Sequence, residues 1–149
     1  MDGLTARENL WLAARSRLKG KAADVAVGEI AARLGLGPVL GRLVGQLAHG
    51  QRQWVEIAMV VACRPRILLL DEPAAGMSDE ETDRTADLIR DLNKDATIVV
   101  VEHDMPFIRQ IAQVVTVFHQ GRILLEDTFE KVVADPVVRD VYLGRGVVA

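Results

Sequence analysis

Cysteine, aromatic side chains and excess basic charge are all scarce in this chain, and no long apolar run occurs. A single cysteine, Cys63, excludes an intramolecular disulfide and suits a reducing compartment. Aromatic residues make up 4% of the chain against 50% hydrophobic residues, so the core must be aliphatic. A formal net charge of −3 argues against a general nucleic-acid binder, which presents a basic face. No apolar stretch reaches the roughly 18–20 residues needed to span a bilayer. Met1 to Thr5 lacks the basic start and apolar stretch of a signal peptide. These absences predict a soluble cytoplasmic protein that is still able to dock on a membrane partner. The glycine-rich run G-x-x-x-x-G-K-[ST] occurs nowhere, so the chain holds no recognisable phosphate cradle of its own.

What is present fits one α/β domain. The 149 residues can bury roughly 68–70% of their unfolded surface. Thr5 and Glu8 form a capping-box pair for a first helix running to about Leu18. Ala22 to Leu34 reads as a second helix, ended by Gly35-Leu-Gly-Pro38. Gly41 to Gly50 reads as a loop, and Gln51 to Ala62 as a third helix whose Trp54, Met59 and Cys63 side are packing residues. Ile67–Leu70 and Ala96–Val101 are continuous apolar runs, the pattern of parallel strands covered on both faces. Between them Ser78 and Glu81 make a second capping box for a helix ending near Leu92. Asp79–Glu81 and the charges of Asp83–Lys94 read as solvated. A helix over Met105–Ala112 follows. Val114–His119 and Arg122–Glu126 flank Gln120-Gly121, a two-residue hairpin signal that leaves His119 exposed. Thr128–Val133 and Val137–Tyr142 read as short helices.

The strand Ile67-Leu-Leu-Leu-Asp-Glu-Pro73 carries the most chemistry. Its apolar run ends in two adjacent acids, Asp71 and Glu72, at the carboxyl tip, where open α/β sheets hold their ligands. In nucleotide hydrolysis one such acid serves Mg²⁺ and the other positions and deprotonates the attacking water. His103 stands about thirty residues on, just past the tip of the second apolar strand. A right-handed crossover can set two such tips side by side, bringing His103 to a γ-phosphate. Leu47-Ala-His-Gly-Gln51 precedes a helix, where exposed backbone N–H groups and the helix dipole favour an anion.

Taken together these segments resemble the ATP-binding subunit of an ABC transporter. Leu47, Ala48, His49, Gly50 and Gln51 resemble the family signature LSGGQ, and Ile67–Glu72 resembles Walker B with its catalytic glutamate. Ala75, Gly76, Met77 and Ser78 fall at the D-loop, and His103 at the switch histidine. Leu4-Thr-Ala-Arg-Glu-Asn-Leu10 is similar to the helix that follows the family's Q-loop. DEPAAGM, VVVEHDM and VYLGR are most similar to importers of branched-chain amino acids and of urea or short amides. Ala48 replaces the signature serine and its hydroxyl. His49 replaces a glycine, and Ser78 stands for the D-loop aspartate.

The resemblance implies a partial P-loop NTPase domain. Residues 1–50 would form a helical subdomain with the signature loop, and residues 51–149 the C-terminal part of the catalytic core. It implies ATP and Mg²⁺ as cofactors, with Asp71 toward the metal and Glu72 and His103 as catalytic residues. The 47–51 and 75–78 loops would contact nucleotide. It also implies a second ATPase subunit and transmembrane permease subunits as partners, no nucleic acid, and a place on the inner face of the membrane. The segments that precede the Q-loop helix in the family, phosphate loop included, have no counterpart here, so the chain is expected to begin partway through the domain. On this reading the chain alone neither binds nor hydrolyses ATP, and the open edge of Ile67–Leu70 favours self-association. An alternative is a split or regulatory half-domain that donates signature and D-loop in trans. A non-transport ATPase acting on nucleic acid fits the acidic balance poorly.

Overall fold

The computed structural model describes residues 1–143; Gly144 and Arg145 of the VYLGR run lie with the rest of 144–149 outside the described residues. The chain divides into two compact units, Met1–Glu102 and His103–Ala149.

The first unit opens with helix α1, Ala6–Arg15. Its start is fixed locally: the Glu8 N–H donates to Thr5 Oγ1 at 3.2 Å, and the Thr5 N–H donates to Glu8 Oε2 at 2.7 Å. Those bonds favour the ionised carboxylate, so Glu8 is held below the usual carboxylate range, the backbone bond from Thr5 contributing most. The helix stops at Arg15, short of the expected Leu18. There the Ser16 hydroxyl donates to Ala13 O at 2.7 Å and competes with continued helical bonding. Helix α2, Lys21–Arg33, and helix α3, His49–Ala62, pack against α1 and against each other. Their shared core holds Ala6, Leu10 and Ala14 from α1, Ala23 and Val27 from α2, and Val55 and Ala58 from α3, each at most 1% exposed. The alanines let the helix axes approach while Leu10, Val27 and Val55 fill the space between.

Helix α3 begins two residues before the expected Gln51. Gln51 Oε1 accepts from the Ala48 N–H at 3.3 Å, which turns the chain into the helix at Ala48. Strands β1, Ile67–Asp71, and β2, Thr97–Val101, pair in parallel, in register from Ile67 opposite Thr97 to Asp71 opposite Val101. Helix α4, Asp79–Leu92, connects them. The expected Ser78–Glu81 capping box is present, with the Ser78 N–H donating to Glu81 Oε2 at 3.1 Å.

Two expectations about this unit are corrected. The apolar runs are not covered on both faces. Leu68 and Leu70 are buried, but Ile67 and Leu69 on β1 are 60% and 76% exposed, and Val99 and Val101 on β2 are 48% and 63% exposed. Among the described residues the sheet has these two strands alone, so one face packs inward and the other meets solvent. Nor are the charges of α4 all solvated. Arg33 of α2 donates through Nε to Asp91 Oδ2 at 2.7 Å and pairs with Asp95 at 2.6 Å, while Arg84 Nη2 donates to Leu34 O at 3.2 Å. The hydrogen bond from Arg33 is the main reason the Asp91 carboxyl lies below its ordinary range.

The second unit contains helix α5, Met105–Ile111, then strands β3, Val115–His119, and β4, Arg122–Asp127, as an antiparallel hairpin with an irregularity between Val117 and Phe118. The turn forms where the sequence places it. Gln120 and Gly121 have φ of 48° and 75°, the left-handed pair whose twist matches a two-residue hairpin. Helix α6, Phe129–Ala134, packs on both hairpin strands. The expected Val137–Tyr142 helix resolves into a short helix α7, Pro136–Val138, capped by Asp135, and a wider π-helical turn, Arg139–Leu143. His119 is half-buried rather than exposed, its ring edge-on to Tyr142 with centroids 6.1 Å apart. Among the described residues no helix is long and apolar enough to cross a membrane.

Candidate functional site

Asp71 ends β1 with an exposed side chain. Glu72 follows with φ of 44°, a left-handed backbone that non-glycine residues seldom adopt. Three bonds explain why the chain accepts it. The Glu72 N–H donates to Val101 O at 2.9 Å, extending the β1–β2 ladder one residue past the strand. The Ala75 N–H then donates to Glu72 O at 3.1 Å and the Met77 N–H to Ala74 O at 3.2 Å, closing two successive turns. Pro73, buried, disfavours right-handed helical backbone at the residue before it. Gly76 completes the reversal at φ of 69°. Backbone held away from its preferred regions by surrounding bonds is a common property of reactive sites. The two carboxylates are thus presented on a stiff turn at the strand tip.

The loop Leu47–Gln51 lies against this turn. His49 Nε2 is 3.0 Å from Ala75 O. A Cβ at Gly76 would stand 3.6 Å from the His49 ring, and one at Gly50 would stand 2.6 Å from Glu81 Oε1. Leu47 and Gly50 are buried, whereas Ala48 and His49 are exposed at the head of α3. Ala48 has no side-chain oxygen, so the helix start carries only the backbone-directed half of a cap, from Gln51. Ser78 is committed to α4. Its hydroxyl accepts from the Glu81 N–H at 3.4 Å and reaches Glu81 Oε2 at 3.1 Å.

Of the residues singled out from sequence, Leu47–Gln51, Asp71, Glu72 and Ala75–Ser78 all belong to the first unit. Contacts join the first and last of these groups directly, and the Glu72–Ala75 turn links the acids to them. His103 is exposed and is the first residue of the second unit; Asp104 beside it caps α5 by accepting from the Phe107 N–H at 3.1 Å. Among the described residues no group of three or more His, Cys, Asp or Glu is placed to hold a metal. Two exposed adjacent carboxylates fit a different role. Mg²⁺ keeps several waters and is bound by one or two carboxylates together with substrate phosphates.

The sequence marks Trp54 as a packing residue. It is buried, but its indole N–H also donates to Thr85 Oγ1 at 2.9 Å, and Thr85 Oγ1 donates to Glu81 O at 2.8 Å. The Arg84 guanidinium sits 4.1 Å from the Trp54 ring centroid. A threonine among the buried positions of an otherwise charged helix was the available signal, since a buried hydroxyl needs a partner.

Residues 1–75 match the ABC transporter family. The high-affinity branched-chain amino acid transport ATP-binding protein BraF of Pseudomonas aeruginosa is 42% identical over 106 residues, covering 70% of this chain and 42% of the relative. The methionine import ATP-binding protein MetN of Caulobacter vibrioides is 34% identical over 142 residues, covering 91% of this chain and 42% of the relative. This chain therefore spans about four tenths of the length of these curated relatives. Among solved structures, the ADP conformation of MJ1267, an ATP-binding cassette of an ABC transporter, superposes with a TM-score of 0.84 at 22% identity, over 97% of this chain and 64% of that one. At that identity the likeness bears on the fold alone.

Proposed function

The chain belongs to the ABC transporter family, and from that premise we propose that its residues serve the ATP-binding and hydrolysing subunit of a solute importer. The observation that carries this reading is the strand tip. Asp71 and Glu72 are exposed on a constrained turn, and the signature-like loop 47–51 is laid against that turn.

Each residue has a role on this reading. Asp71 would hold the magnesium that arrives with ATP, and that ion would neutralise charge on the phosphates. Glu72 orients the attacking water and takes its proton. His103 donates to the γ-phosphate as charge builds there. Within Leu47–Gln51, whose Leu47 and Ala48 N–H groups already donate to Val44 O and Gln51 Oε1, the head of α3 at His49–Gln51 offers backbone N–H groups and the positive end of the helix to ATP held by a second ATP-binding subunit. Ala75–Ser78 lie beside that contact. The phosphate cradle itself comes from residues outside this sequence, which contains no G-x-x-x-x-G-K-[ST] run. ATP closure and hydrolysis would be transmitted to permease subunits, with the protein resting on the inner face of the membrane.

The solute we infer is a small amino acid or amide. The names of BraF and MetN support amino acids, branched-chain amino acids and methionine respectively. The DEPAAGM loop and the VVVEHDM strand end support the group that also imports urea and short amides.

Two measurements test the proposal. Mg-ATP titrated calorimetrically into this chain alone should give no binding heat. Micromolar binding would mean that an unrecognised cradle exists and would redraw the roles above. In cells that express the protein, Glu72→Gln should abolish uptake of one labelled solute among leucine, methionine and urea. Undiminished uptake of all three would overturn the importer assignment.

A further inference from the structure

A chain of hydrogen bonds runs from β2 to the head of α3 through the two loops of the candidate site. Val101 O accepts from the Glu72 N–H at 2.9 Å, Glu72 O accepts from the Ala75 N–H at 3.1 Å, and Ala75 O lies 3.0 Å from His49 Nε2. A carbonyl oxygen can only accept, so Nε2 carries the proton of this last bond. Three further features hold the same two segments together. The His49 ring lies over Gly76, where the backbone is left-handed. Gly50 leaves room for the Glu81 carboxylate, which accepts from the Ser78 N–H. Lower down, Trp54 of α3 donates to Thr85 of α4.

These contacts differ in kind. Trp54–Thr85 is buried and ties two helices, whereas His49 is exposed and its polar partner is a backbone carbonyl of the very turn that carries Glu72. A solvent-facing side chain loses conformational freedom when it is held in one rotamer. Here it is held 26 residues along the chain from its partner.

We propose that His49 is a positioning residue: its Nε2–H bond to Ala75 O fixes the Glu72 turn to the loop 47–51, so that the two segments move as one body. The catalytic meaning of that coupling rests on the functional reading above, but the coupling itself does not. The loop next to ATP on one side and the acid that activates water on the other would then respond together to closure, with His49 as the mechanical link.

The test uses this chain without nucleotide and reads amide hydrogen exchange at Ala75 and Met77 by NMR. His49→Ala removes the donor and should speed exchange at both amides about fivefold, the equilibrium factor of one net hydrogen bond. His49→Gln restores an N–H donor of similar reach and should return exchange close to the parent rate. A Trp54 indole N–H signal unchanged in both variants confirms that the helices remain packed. Unchanged exchange in His49→Ala overturns the proposal. So does equal acceleration in the Ala and Gln variants, because then ring packing rather than the bond holds the turn. Neither result depends on ATP, so a failed ATPase assignment would show in the calorimetry and uptake assays and leave this outcome standing.

Discussion

Within the first unit the three-helix region and the strand pair are built to different degrees of completeness. The helices bury Leu10, Val27 and Val55 almost wholly, with alanines at the close approaches. The strands β1 and β2 bury Leu68 and Leu70 on one side and leave Ile67, Leu69, Val99 and Val101 open on the other. The strands are the more apolar of the two in sequence, yet they are the less covered. The difference is that α1, α2 and α3 each find two helical partners, whereas a two-stranded sheet with one covered face keeps half its side chains in water. The lesson is that the helical region is satisfied by its own neighbours, while the strand pair has an apolar face and a β1 edge that pair with nothing among the described residues.

Leu10→Ala should expose this contrast most sharply. Deleting a wholly buried leucine removes its transfer energy and leaves a cavity, about 2–5 kcal/mol by urea unfolding. Leu69→Lys, on the open strand face, should change the unfolding free energy by no more than about 0.5 kcal/mol. It should also reduce any self-association seen by light scattering, because a charge is placed on a flat apolar surface. Comparable losses of stability in the two variants would erase the distinction.

Gly50→Ala probes where loop and helix meet. The new methyl would press on Glu81 Oε1 at 2.6 Å and displace the carboxylate from the Ser78 cap of α4. The expected cost is about 1 kcal/mol, the worth of a helix cap. A variant as stable as the parent would show that Glu81 can move without losing its bonds.

A further small effect concerns acid. Asp91 is lowered chiefly by its hydrogen bond from Arg33 and then by that from Lys94. A carboxyl lowered in the folded state adds stability that is fully present above its unfolded pKa of about 3.9 and is lost as pH falls through the lower folded value. Both partners are partly solvated, with side chains 32% and 39% exposed, so screening limits the pair to roughly 1 kcal/mol or less. Arg33→Gln should flatten that part of the stability–pH curve and leave the curve near neutral pH lower by the same small amount. An acid limb that keeps its shape would assign the effect to Lys94 instead.

The helix starts at Thr5 and Ser78 and the hairpin at Gln120-Gly121 were readable from the chain, because each depends on residues within three or four positions; the two strands were readable as apolar runs, but their open face was not. The acids at the end of β1 were legible for the same reason. An apolar run followed by Asp-Glu-Pro needs no distant partner to announce a strand tip. The helix ends were less legible, since Ser16 and Gln51 act through side-chain bonds that compete closely with helical ones.

Sequence alone therefore determined the order of elements, the aliphatic character of the core and the residue types offered at the strand tip. Only the tertiary structure decided which apolar residues are buried, because a strand side chain is covered only if another element reaches it. It also decided the left-handed backbone at Glu72, the reach of His49 to Ala75 and the bond of Arg33 to Asp91, 58 residues apart. The last two are contacts between segments remote in the chain, and the first depends on one, the Glu72 N–H bond to Val101 O. Local propensity carries no record of such a contact, whose energy exists only once the fold has brought both partners within hydrogen-bonding distance.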